Sequence, residues 1–115
     1  MAAKKDPATL VRQTRDLIKE FDHVLDDARD LSEPALSEAV QALKSLVDRL
    51  PQAFGQNADV VALLTANDKI TVEQGDPKAE AAVTASELRT VAVDTEQLAK
   101  ILSHPASALF LMGGR

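Results

Sequence analysis

The chain has 115 residues, a net charge of −5 and no cysteine, and 45% of its residues are hydrophobic. This length fits one domain, and the lack of cysteine excludes a disulfide framework, a thiolate metal site and a cysteine nucleophile. The acidic balance, with three phenylalanines as the only aromatic residues, argues against direct nucleic-acid binding, which uses basic surfaces and stacking rings.

The sequence also indicates where in the cell the protein is expected. Its start carries Lys4, Lys5, Asp6 and Pro7 where a secretory signal needs an apolar run. No stretch approaches the roughly 20 apolar residues of a membrane span. We therefore expect a cytoplasmic protein that makes no membrane contact.

The first predicted helix runs from about Pro7 to Leu31, with Asp6 as N-cap and a proline in the first turn. Its apolar residues recur at alternating spacings of four and three, which is typical of a helical seam. The seam consists of Leu10, Thr14, Leu17, Phe21, Val24, Ala28 and Leu31. A second column, Val11, Ile18 and Leu25, widens the apolar stripe. Such a helix is expected to pack against more than one neighbour.

The second predicted helix begins after Ser32 and ends at Pro51. Its seam is out of phase with the seam of the first helix, which favours two helices over one kinked helix. The residues of this second seam are Leu36, Val40, Leu43, Val47 and Leu50. A tight turn between them predicts an antiparallel hairpin over about 7–50. The first helix is then longer by about seven residues, or about 10 Å.

The C-terminal half, about 57–112, has weaker patterns and is expected to be mixed. A loop is predicted at 54–57 and a short helix at 58–66. Alternating residues at 69–73 and a β-branched run at 90–93 indicate two strands that could pair as a small ribbon.

Further signals follow the first of these two predicted strands. Asp76-Pro77 repeats the capping arrangement at the start of the chain, and the sequence leaves open whether 78–92 is helix or strand. Asp94 is expected to open a last helix, which His104-Pro105 ends. The predicted fold is a mainly α single domain: a long antiparallel helical hairpin plus shorter helices, with or without one two-stranded β ribbon.

Charge is segregated along the first helix. Residues 4–19 carry a net charge of +3 and residues 20–38 a net charge of −6. This order opposes the helix macrodipole, which favours acids near the N-terminus and bases near the C-terminus. We interpret it as an antiparallel, self-complementary pairing of two copies, although solvated faces would show the same pattern.

The expected partners are a second copy of the chain, as a dimer or larger, and another protein. The candidate packing residues on the first helix are Leu10, Val11, Ile18 and Leu25. The candidate charge-pairing residues are Arg12, Arg15, Lys19, Asp26, Asp27 and Asp30. In the apolar tail, Leu109 and Phe110 belong either to the core or to a docking peptide.

Chemistry-bearing motifs are sparse. Glu20 and His23 have the Glu-x-x-His spacing of di-iron bundles, which keeps a helical metal-binding oxidoreductase as an alternative, but they flank the seam. The aspartates between 22 and 30 suit a second alternative, an acidic inhibitor that mimics nucleic acid in a basic cleft. No nucleophile elbow or phosphate-binding glycine loop is present. The sequence therefore predicts a non-catalytic protein interaction or assembly module with no cofactor or metal.

Overall fold

The computed structural model describes residues 6–27, 29–72 and 75–112. In these residues the protein is all-α, with three helices and no strand: α1 (Pro7–Asp26), α2 (Glu33–Ala66) and α3 (Pro77–Met112). The chain divides into two compact units, Met1–Ser32 and Glu33–Arg115. The first unit contains α1, and the second contains α2 and α3.

The start of α1 is the one that the sequence predicts. Asp6 is the N-cap, and its carboxylate accepts hydrogen bonds from the Thr9 backbone N–H at 3.2 Å and from the Thr9 hydroxyl at 2.8 Å. The end differs, because α1 stops at Asp26 instead of Leu31. Consecutive acids at a helix C-terminus oppose the macrodipole and repel one another, which favours an early end.

The hairpin of this fold is formed by α2 and α3, which pack along their lengths in antiparallel directions. Two contacts fix the register: Gln41 Nε2 donates to the Ala106 carbonyl at 3.0 Å, and Arg89 Nη2 lies 3.3 Å from Asp59 Oδ1. The sequence-based prediction instead paired the first helix with the second over 7–50, so its choice of paired helices and the overhang derived from it were wrong.

Small side chains line the contact between α2 and α3. On α3 the buried residues are Ala81, Ala85, Ala99 and Ala106, and on α2 they are Ser37 and Ala58. Ala85, Ala99 and Ala106 belong to a column with a seven-residue spacing, which keeps one stripe facing a partner helix. Because no large apolar side chain among the described residues is fully buried, the hairpin has a thin core.

Pro51 does not end α2, which continues to Ala66 through the predicted loop at 54–57. A proline inside a helix removes one backbone hydrogen bond and costs about 3 kcal/mol. Packing on α3 offsets that cost, since the half-buried Phe54 and the buried Ala58 lie beyond the proline.

Pro105 likewise lies inside α3, so the predicted end at His104-Pro105 was wrong. The next residue, Ala106, is buried, and its carbonyl is the acceptor of the Gln41 amide. Asp94, predicted to open a helix, is also an internal residue of α3. The tail is therefore the last part of a 36-residue helix.

The predicted ribbon is absent from the described residues. Residues 90–93 lie within α3, and 69–72 form no strand, while residue 73 lies outside the described part of the chain. The β-branched run at 90–93 is helical because Ala85 and Ala99 on either side of it belong to the seam that packs on α2. Tertiary packing here outweighs the local β propensity.

The turn before α3 uses two special residues. Gly75 has a φ of 93°, a left-handed conformation in which a residue with a Cβ is strained. Asp76 then caps α3 as predicted, with Oδ1 accepting from the Lys78 backbone N–H at 3.1 Å.

Candidate interaction surfaces

The apolar stripe of α1 is the first candidate surface. No residue of α1 is buried. Its exposed large apolar residues are Leu10, Val11, Leu17 and Val24, and Leu17 keeps 64% of its surface exposed. Ile18, Phe21 and Leu25 are partly exposed. The stripe therefore has the width predicted from the sequence, and its side chains are available for contact.

The basic candidates all lie on α1. Arg12 and Lys19 are seven residues apart, on one column of the helix, and no salt bridge joins either to another described residue. Arg15 is placed differently, because its Nη2 lies 3.0 Å from Oδ1 of its neighbour Asp16. Two of the three basic candidates are thus free to pair with another molecule.

The acidic candidates lie at and beyond the end of α1. Asp26 extends the column of Arg12 and Lys19, and its Oδ2 is 3.9 Å from His23 Nδ1. Asp27 is the C-cap residue and accepts a 2.9 Å hydrogen bond from Arg29, while Asp30 follows the helix. Arg12, Lys19 and Asp26 therefore form one column, which lies on the side of α1 away from its apolar stripe.

The Glu-x-x-His motif, Glu20 and His23, lies on α1 as predicted. Within the described part of the chain, no group of three or more His, Cys, Asp or Glu side chains is arranged to hold a metal ion. His23 lies beside Asp26, and its side chain is 80% exposed. The motif is thus an exposed pair on one helix.

The hairpin has a polar side, which we define by eight residues: Gln41, Lys44, Asp48, Asp59, Arg89, Glu96, Lys100 and Ser103. Besides the two register contacts, Lys44 Nζ lies 2.9 Å from Asp48 Oδ2, and Lys100 Nζ lies 4.0 Å from Glu96 Oε1. These last four side chains line one open cleft between the helices. Charges on this side are largely satisfied within the chain.

The opposite, apolar side of the hairpin was not predicted. We define it by nine residues: Leu36, Leu43, Leu46, Leu50, Val60, Leu64, Val91, Leu98 and Ile101. Five of them are exposed, namely Leu46, Val60, Val91, Leu98 and Ile101. The signal that could have revealed this side is the column of alanines on α3, because it marks the residues that face α2.

The tail candidates have different environments. Leu109 is half-buried, whereas Phe110 is 72% exposed. The following Leu111 and Met112 are also exposed. The end of α3 therefore combines a packed residue at 109 with three apolar side chains that face outward.

Comparisons of the chain with protein-family models, curated proteins and solved structures found no match. Within the three helices described, none combines the length and the hydrophobicity that a membrane crossing requires.

Proposed function

We propose that the protein is a non-catalytic assembly module that associates with a second copy of itself through α1. The observation that carries this proposal is the exposed apolar stripe of α1, in which no residue is buried. Amphipathic helices of this kind gain most of their stability by burying the apolar face against another element. A second copy supplies such a face.

An antiparallel pair of α1 helices matches the stripe in register. A two-fold axis level with Lys19 sets Leu17 opposite the second copy's Phe21 and Thr14 opposite its Val24. Such a pairing is self-complementary, because each contact occurs twice, once on either side of the axis. The seam thus supports a closed dimer.

Antiparallel pairing also sets the basic first half of α1 alongside the acidic second half of the other copy. Arg12, Lys19 and Asp26 do not meet across the stripe, because their column lies on the opposite side of α1 from Leu17 and Phe21. The alignment of the two halves explains why basic residues precede acidic ones on α1, against the preference of the macrodipole. Exposed charges contribute only about 0–1 kcal/mol per pair, so they serve mainly orientation and the rate of association.

A truncation within the stripe tests this pairing. Leu17→Ala removes apolar area from the contact in both copies and is expected to raise the dissociation constant of the dimer at least tenfold. Sedimentation equilibrium measures the dissociation constant.

The matched control is Arg12→Ala, on the side of α1 away from the stripe, since arginine and leucine have similar helix propensities. It should leave the dissociation constant within about threefold of the wild-type value. Equal weakening by Leu17→Ala and Arg12→Ala would contradict pairing through the stripe of α1.

A further inference from the structure

We infer that the apolar side of the hairpin is a second self-association surface, on which the hairpin of another copy lies face to face to form a four-helix layer. The inference rests on the proposed self-association but uses a surface that is separate from α1. It follows from the length, area and charge of this side.

The extent of the apolar side fits a hairpin. From Leu36 to Leu64 it spans about 42 Å at 1.5 Å per residue. With two helices of about 10 Å diameter each, the whole side covers about 800 Å², the area that each partner contributes to a standard protein interface. Its nine apolar residues, five of them exposed, occupy part of this area.

The lengths of the helices favour a second hairpin as the occupant. The paired helices α2 and α3 have 34 and 36 residues, whereas α1 has 20. A helix of 20 residues covers about 30 Å, which leaves roughly a third of a 42 Å surface uncovered. A second copy of the hairpin matches the whole length.

Charge gives the orientation of the two hairpins. The Gln41–Ala106 contact sets Arg49 level with Leu98, one helical turn from Asp94. In the proposed pair, α2 of one copy lies over α3 of the other, and the two-fold axis runs parallel to the helices. Each Arg49 then comes within one helical turn of Asp94 of the other copy. Each α2 then has antiparallel α3 helices as both neighbours, the arrangement of an up-down four-helix bundle.

Two positions on α3 allow a matched test. Val91 and Val93 are the same residue type, and both are exposed, at 38% and 64%. At 100° per residue, Val91 lies within about 20° of Leu98 on the apolar side, and Val93 turns toward the polar side with Glu96. The same substitution at both positions therefore differs mainly in the side that it alters.

The first experiment compares Val91→Glu with Val93→Glu by light scattering of the full chain. A glutamate inside the proposed interface should raise the dissociation constant for this contact at least tenfold, whereas Val93→Glu should keep the wild-type mass. Equal masses for both variants and the wild type would overturn the inference while leaving pairing through α1 intact. A monomeric wild type would overturn both proposals.

A milder pair of variants covers the case in which Val91→Glu fails to fold. The chain has no cysteine, so Val91→Cys and Val93→Cys each carry a single thiol. Maleimide labelling of the cysteine at position 91 should slow at least severalfold as protein concentration rises, while labelling at 93 stays constant. Protection of position 91 that does not depend on concentration would overturn the inference and assign this side to a contact within one chain.

Discussion

Gly55 and Gly75 show how the same residue type has opposite roles in two backbone conformations. Gly55 lies inside α2, and a Cβ built there meets no atom within 4 Å. Glycine in a helix interior is less favourable than alanine by about 0.5–1 kcal/mol. Gly75 instead adopts the positive φ of the turn before α3.

We predict that Gly55→Ala stabilises the hairpin by about 0.5–1 kcal/mol and raises its unfolding midpoint by a few degrees. Gly75→Ala should destabilise it by roughly 1–2 kcal/mol, because alanine is strained at that φ. Thermal unfolding followed by circular dichroism measures both. The same sign of change in the two variants would contradict the assigned conformations.

Asp76 is predicted to stabilise α3 through its side-chain cap. Asp76→Ala removes the acceptor for the Lys78 N–H and should cost about 1 kcal/mol of unfolding free energy. Asp76→Ser keeps a capping oxygen and should retain most of the stability. Urea unfolding distinguishes them, and equal losses in both variants would argue against the cap.

At the scale of the element, the starts of the helices were predictable and the ends were not. Asp6 and Asp76 act locally, since each carboxylate caps a backbone N–H within three residues, so a short sequence pattern is sufficient to find them. Pro51 and Pro105 act as breakers only when distant packing does not offset their cost. Whether α2 ends at Pro51 or continues beyond it therefore depends on packing against α3, which lies far away in the sequence.

Close packing of α2 and α3 requires small side chains in the seam. We predict that Ala99→Leu overpacks the contact and destabilises the hairpin by about 1–3 kcal/mol. Ala79→Leu, the same change at an exposed position of α3, should alter stability by less than about 0.5 kcal/mol. Alanine and leucine are both good helix formers, so the difference in unfolding free energy between the two variants reports the packing effect. Chemical unfolding measures it.

At the scale of the whole molecule, large apolar side chains are more exposed than buried. The fully buried hydrophobic residues among those described are alanines, while fifteen large apolar residues are exposed. Burial of apolar area is the main favourable contribution to folding and association. A chain with this distribution gains stability by association, so its unfolding midpoint should rise with protein concentration.

The candidate surfaces were predictable to different degrees. The stripe of α1 follows from a local periodicity of four and three, so residues such as Leu10 and Ile18 were identified from the sequence. The apolar side of the hairpin depends on which residues of α3 face α2. Ile101 was missed because the predicted strand at 90–93 and the predicted helix end at His104 divided α3 into pieces.

The most direct test of self-association is the mass of the full chain by light scattering behind a sizing column, at low and at moderate salt. We predict a mass of two chains or more at low salt and a shift toward one chain at moderate salt, because salt screens the attraction between the basic half of one α1 and the acidic half of the other. A mass of one chain, 12.3 kDa, at both salt concentrations and at high protein concentration would contradict the proposed function.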